Sequence, residues 1–109
     1  MERIGADAFD AERLRRPGTW AVVFLADWCP FCVSFAPKFA ELDGTGSFRV
    51  AVADVSEESS PLWDRFRIEV VPTVIVFRDG SAAFRRDGQL MRGLGDKDLA
   101  AIRSHLAPP

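Results

Sequence analysis

Trp20-Ala21-Val22-Val23-Phe24-Leu25-Ala26-Asp27-Trp28-Cys29-Pro30-Phe31-Cys32 runs from seven consecutive apolar residues into two cysteines spaced by two, and its reading decides the fold. An uninterrupted apolar run with β-branched residues at its centre is the pattern of a strand covered on both faces, so Trp20 to Ala26 is expected to be the central strand of a sheet. Pro30 suits the first turn of a helix, where its missing N–H has no helical partner to lose. From it a helix is predicted to about Leu42, apolar at Phe31, Phe35, Phe39 and Leu42, with a kink at the internal Pro37.

Outward from this unit, apolar runs alternate with helix-like segments. After a Gly44-Thr45-Gly46-Ser47 loop, Phe48 to Val55 predicts a second buried strand. Ser60-Pro61 reads as N-cap and first residue of a helix through Leu62, Trp63, Phe66 and Arg67. Thr73 to Phe77 predicts a third strand, joined through the hairpin signal Asp79-Gly80 to Ala82–Arg86. Asp87-Gly88 makes a further turn, and Asp96 is expected to cap a last helix through Leu99, Ile102 and Leu106. On the N-terminal side, Asp7 reads as the cap of a first helix from about Ala8 to Arg15, closed by Pro17-Gly18. A parallel βαβ pair followed by an antiparallel hairpin gives an α/β fold with a mixed central sheet flanked by helices on both faces.

The chain has 109 residues, and with no linker-like tract or repeat it is expected to form one domain over 1–109. Fourteen Lys+Arg balance 16 Asp+Glu, a net charge of −2 that gives no electrostatic reason to expect nucleic acid or an anionic membrane as partner. The longest apolar run, Trp20 to Ala26, falls short of the roughly 18 residues a membrane helix needs. The first residues lack the apolar stretch of a secretory signal, so a cytoplasmic location is expected. The basic clusters Arg13, Arg15, Arg16 and Arg85, Arg86 read as solvated faces, and Trp63 as packing on an amphipathic helix.

Both cysteines stand at the start of a predicted helix, and this narrows the chemistry more than any other feature. Two intervening residues bring the sulfurs about one turn apart, close enough for a disulfide. Free backbone N–H groups, that of Cys32 among them, and the positive end of the helix dipole favour a thiolate at Cys29, which can be exposed. Cys29 would attack a substrate disulfide, and the more buried Cys32 would displace the product and leave a Cys29-Cys32 bridge. A static disulfide and half of a zinc site are the alternatives. The first closes too small a loop to stabilise much. The second lacks ligands, since the one histidine, His105, stands alone in the last helix, where it reads as a helix-end residue on the C-terminal dipole.

Phe24 to Trp28 leading into Cys29-Pro30-Phe31-Cys32, with Pro37 and Lys38 on the following helix, resembles the active-site signature of the thioredoxin family. Val71-Pro72-Thr73 followed by Val74 to Gly80 resembles that family's second signature, in which the proline is cis. The resemblance implies a thioredoxin-like fold over nearly the whole chain, with the initial strand reduced to residues around Glu2 to Ile4, and disulfide exchange with protein substrates. It implies a cis-Pro72 that removes a donor beside the sulfurs, leaving the Val71 side to pair with an extended substrate, while Trp28, Pro30 and Phe31 form an apolar rim. A glycine before the last helix usually completes the substrate surface, and both Gly88 and Gly93 are candidates.

Two departures bear on mechanism. The family's buried Asp and its Lys partner align with Val23 and Val52, a coupled loss that leaves no buried charge, so Cys32 is expected to lose its proton to water or to the departing Cys29 thiolate. Pro-Phe replaces the usual Gly-Pro between the cysteines, and the extra Phe31 N–H would stabilise the reduced form, giving a couple more oxidising than the roughly −270 mV of thioredoxin. The expected activity is that of a protein-disulfide reductase, monomeric, without bound cofactor or metal, re-reduced by a reductase or by glutathione. Glutaredoxin-like, oxidase or isomerase activity, and a redox-sensing interaction module without catalysis, remain open alternatives.

Overall fold

A computed structural model describes residues 1–107. Its main sheet has five strands in the order β1 (Glu2–Ile4), β5 (Arg49–Asp54), β4 (Thr19–Leu25), β6 (Thr73–Arg78), β7 (Ser81–Asp87). β4 lies at the centre, parallel to β5 and antiparallel to β6, and β1 adds parallel to the far side of β5. The mixed sheet is therefore as the sequence pattern predicts, and the residual first strand as the family resemblance implies. From Trp20 onward β4 is wholly buried, which is what its unbroken apolar run requires.

α1 (Pro30–Ala40) and α3 (Asp96–Leu106) cover the sheet face that carries Val23 and Val74, tied to each other by a Lys38–Asp96 ion pair at 3.3 Å. α1 continues through Pro37 but ends two residues before the predicted Leu42. α2 (Leu62–Arg65) is a single turn that stops short of the predicted Phe66 and Arg67; Pro61, not Ser60, holds its N-cap position, although the Ser60 hydroxyl accepts the Leu62 N–H at 3.3 Å. Gly95, not Asp96, holds the N-cap position of α3, and the Asp98 carboxylate accepts the Gly95 N–H at 2.8 Å. That bond and Arg86 hold the Asp98 carboxyl below its usual range against the opposing effect of burial, the largest single influence on it.

The predicted first helix over Ala8–Arg15 does not form. A 3-10 turn at Ala6–Ala8, without a side-chain cap from Asp7, leads into a small hairpin of β2 (Phe9–Asp10) and β3 (Arg13–Leu14). The reason lies in the spacing of the two large apolar residues. Five positions apart on a helix, Phe9 and Leu14 would point about 140° away from each other. Paired across the hairpin they share one face, and both are buried. Ala11, at φ 52, makes the tight turn between them.

The hairpin takes a helix's place on the second sheet face. Phe9 packs there against Phe24, Phe66 and Phe77, with ring centroids 6.0, 5.0 and 5.9 Å away. Several arginines read as solvated are fasteners. Arg85 donates to the Phe66 and Arg67 carbonyls at the end of α2, while Arg86, on the opposite face, holds Asp98 of α3 at 2.7 Å. Arg13 reaches the Ser81 hydroxyl at 2.9 Å, and Arg16 grips both Glu2 oxygens. His105 lays its ring flat on Phe84 at 3.7 Å, with Nδ1 2.9 Å from the Ala101 carbonyl.

Phe9→Ala removes the ring on which the second face closes, and the expected loss is about 3–5 kcal/mol of unfolding free energy, read from urea denaturation.

Candidate functional site

The site begins where β4 ends. Cys29 is itself the N-cap of α1, extended at φ −99 and ψ 112, and its sulfur accepts the Cys32 N–H at 3.3 Å. An anionic sulfur gains most from this position, since the first-turn N–H groups otherwise lack partners. The second donor anticipated from the sequence is not engaged: the Phe31 N–H makes no hydrogen bond to Cys29 among the described residues.

The turn before the cysteine is held by a polar chain. Arg3, from the residual first strand, meets Asp54 at 2.7 Å, and Asp54 accepts from both the N–H and the hydroxyl of Ser56. Ser56 in turn accepts the Asp27 N–H at its hydroxyl and the Trp28 indole N–H at its carbonyl, both at 2.9 Å. The Ser56 hydroxyl, more than Arg3, holds the Asp54 carboxyl below its ordinary range.

Both cysteines are free thiols and both are largely covered, Cys29 to 6% exposure and Cys32 to 1%. Cys29 is thus less open than its expected role suggests, although its sulfur borders a groove. The Cys32 thiol is pushed up to about 12, first by burial and then by its hydrogen bond to Cys29. The two positions beneath it are apolar: Val23 and Val52 are register partners on adjacent strands, and both are buried. A separate cleft of about 220 Å³ is lined by Cys32, Ala36, Val52, Asp27 and Arg3.

The groove beside Cys29 has a volume of about 260 Å³. Trp28, Pro30 and Phe31 form one side, while Val70 and Val71 line another with Trp63, whose ring stacks on Trp28 at 6.4 Å and 10°. The Val71–Pro72 bond is cis, as the resemblance implies, and the Val71 carbonyl accepts from Cys29 Sγ at 3.5 Å. Larger hollows near Arg15 and at the start of α3 are polar and contain no cysteine.

Gly88 and Gly93 are both buried, and each is packed closely against a neighbour. A Cβ on Gly88 would collide with the Pro72 carbonyl. One on Gly93, at φ +68, would lie 2.7 Å from Cβ of Phe31. Between them Gln89 and Gly93 exchange backbone hydrogen bonds of 3.1 and 2.8 Å, closing a turn that projects Leu90 and Met91 into the groove. Sequence reading missed Leu90, Met91, Glu69 and Val70, and assigned Trp63 only to packing. Two bulky apolar residues inside a turn bracketed by glycines were the available signal.

The thioredoxin family model matches residues 2–99. The chain belongs to the thioredoxin family. It is 29% identical over 91 residues to thioredoxin of Rhodospirillum rubrum, covering 83% of this chain and 88% of that one. A 35% identity over 91 residues links it to sulfhydryl oxidase 1 of Mus musculus, over 78% of this chain but 12% of that protein. The fold is shared with Chlamydomonas reinhardtii thioredoxin f2 (TM-score 0.78, 21% identity, 100% and 99% of the two chains covered). It is shared too with Plasmodium falciparum thioredoxin (TM-score 0.79, 23% identity, 98% and 100% covered). Family membership and the close cysteine pair make this chain a thiol-disulfide oxidoreductase.

Two outcomes test the site. Gly88→Ala is expected to displace Pro72, cost about 1–3 kcal/mol and slow disulfide reduction about tenfold. Gly95→Ala, whose Cβ meets nothing within 4 Å, serves as the comparison in the same turnover assay. The native state holds the Cys32 proton more tightly than the unfolded chain does. The stability this confers is therefore complete below the ordinary value of 9.0 and lost as pH rises toward about 12. Urea midpoints of the reduced protein should fall over that range more steeply than those of Cys32→Ser.

Proposed function

We propose that the protein acts as a reductant of protein disulfides. The observation that carries this reading is the Cys29 sulfur capping α1 at the edge of an apolar groove, with the protonated Cys32 behind it. The Cys29 thiolate attacks one sulfur of the substrate disulfide, a mixed disulfide forms, and the other substrate sulfur leaves as a thiolate that takes a proton from water. Cys32 then releases its proton to water in the adjoining cleft or to the departing sulfur. It attacks Cys29 Sγ, expels the second substrate thiolate and closes the Cys29-Cys32 bridge. Two electrons have passed to the substrate, and a reductase or glutathione must return them.

Substrate alignment falls to Val71 and Pro72, with Trp28, Pro30 and Phe31 as the apolar rim and Gly88 and Gly93 as close-packed borders. The Val71 N–H makes no hydrogen bond among the described residues, leaving a donor for an extended substrate chain. The direction of flux is supported by the similarity to thioredoxin of Rhodospirillum rubrum, which spans 88% of that protein. The unengaged Phe31 N–H removes the ground on which a more oxidising couple was expected. We place the reaction in the cytoplasm, where a dithiol is kept reduced.

Reduced Cys29 should react with iodoacetamide near neutrality faster than an unstructured peptide thiol, and insulin reduction by dithiothreitol should be accelerated. Cys32→Ser should accumulate a mixed disulfide on Cys29 and lose turnover. Labelling no faster than the peptide, or insulin turnover at the uncatalysed rate with the fold intact, contradicts the reading.

A further inference from the structure

Among the described residues five large apolar side chains stand exposed, and three of them, Trp28 (56%), Leu90 (76%) and Met91 (78%), line the groove beside Cys29. Leu90 and Met91 sit on a turn closed at both ends by hydrogen bonds between Gln89 and Gly93, with Arg92 N–H also bonded to the Gln89 carbonyl at 3.0 Å. Met91 adopts φ 63, a conformation unfavourable for a residue with a side chain. An exposed apolar wall on a fixed turn gains free energy only when another surface covers it.

Glu69 is the one charged residue that lines the same groove. It is exposed and forms no ion pair among the described residues. Glu69 lies two residues before Val71, a separation of at most about 7 Å, which two residues of an extended substrate span. An acidic segment would meet this carboxylate with no cation in the lining to offset it, whereas a basic segment would satisfy it.

We infer that the groove selects an extended protein segment carrying a bulky apolar side chain against Leu90 and Met91 and a lysine or arginine against Glu69. This rests on the disulfide exchange proposed above and adds to it a preference among substrates. The apolar contact supplies adhesion, and the single charge supplies discrimination, chiefly through the rate of encounter.

Two peptides test the charge preference, each with a central cysteine held as a mixed disulfide with nitrothiobenzoate and a leucine beside it, differing only in Lys or Glu two positions away. Stopped-flow rates with the reduced protein are compared, with hydroxyethyl disulfide as a reference substrate. The Lys peptide should react about threefold to tenfold faster at low ionic strength, and the difference should shrink in about 1 M salt. Glu69→Gln should abolish the preference and Glu69→Lys reverse it. In Leu90→Ser/Met91→Ser, the advantage of the leucine peptide over a serine counterpart should shrink. Equal rates for the two charged peptides, or a preference that survives Glu69→Lys, overturn the inference while exchange with hydroxyethyl disulfide persists. Absence of that reference exchange overturns the oxidoreductase reading and the inference with it.

Discussion

The burial of β4 on both faces is the constraint from which the rest of the molecule follows. With Val23 and Val74 paired on one face and the Phe24 ring on the other, the strand must be roofed twice. α1 and α3 supply one roof, while α2 and the β2–β3 hairpin supply the other. The end of β4 is then a fixed point from which the chain turns at once into α1. The Arg3–Asp54–Ser56 chain at the surface pins that turn, so the sulfur that caps the helix is held by a fixed hydrogen-bonded segment and not by a free loop.

At that point two identical thiols acquire different characters. Cys29 receives a backbone donor and borders the groove, whereas Cys32 is more deeply covered and keeps its proton. Helix geometry creates this asymmetry, since the residue at the cap meets the free N–H groups and the one a turn later lies against the sheet. The facing Val23 and Val52 extend the same logic. One buried charge without its partner would cost several kcal/mol, while two apolar side chains in register cost nothing of that kind.

The groove beside Cys29 is assembled from segments far apart in sequence. Trp28 follows β4, Trp63 belongs to α2, Val70 and Val71 precede β6, and Leu90 and Met91 follow β7. Gly88 and Gly93 permit this convergence, because a side chain at either position would occupy space already taken by Pro72 or Phe31.

The sequence by itself determined the central strands, the helix opened by Pro30, the hairpin at Asp79-Gly80 and the roles open to the two cysteines. Each of these rests on local signals: apolar continuity, a proline at a helix start, a turn dipeptide, a two-residue spacing. The five-residue spacing of Phe9 and Leu14 argues against one helix face, but tertiary structure decided where the hairpin packs, setting Phe9 against Phe24, Phe66 and Phe77. It decided too that Arg85 and Arg86 fasten opposite faces, that Gly88 packs on Pro72 and Gly93 on Phe31, and that Glu69, Leu90 and Met91 share a groove with Cys29. Such facts depend on which distant segments meet, and no periodicity within a single segment encodes that.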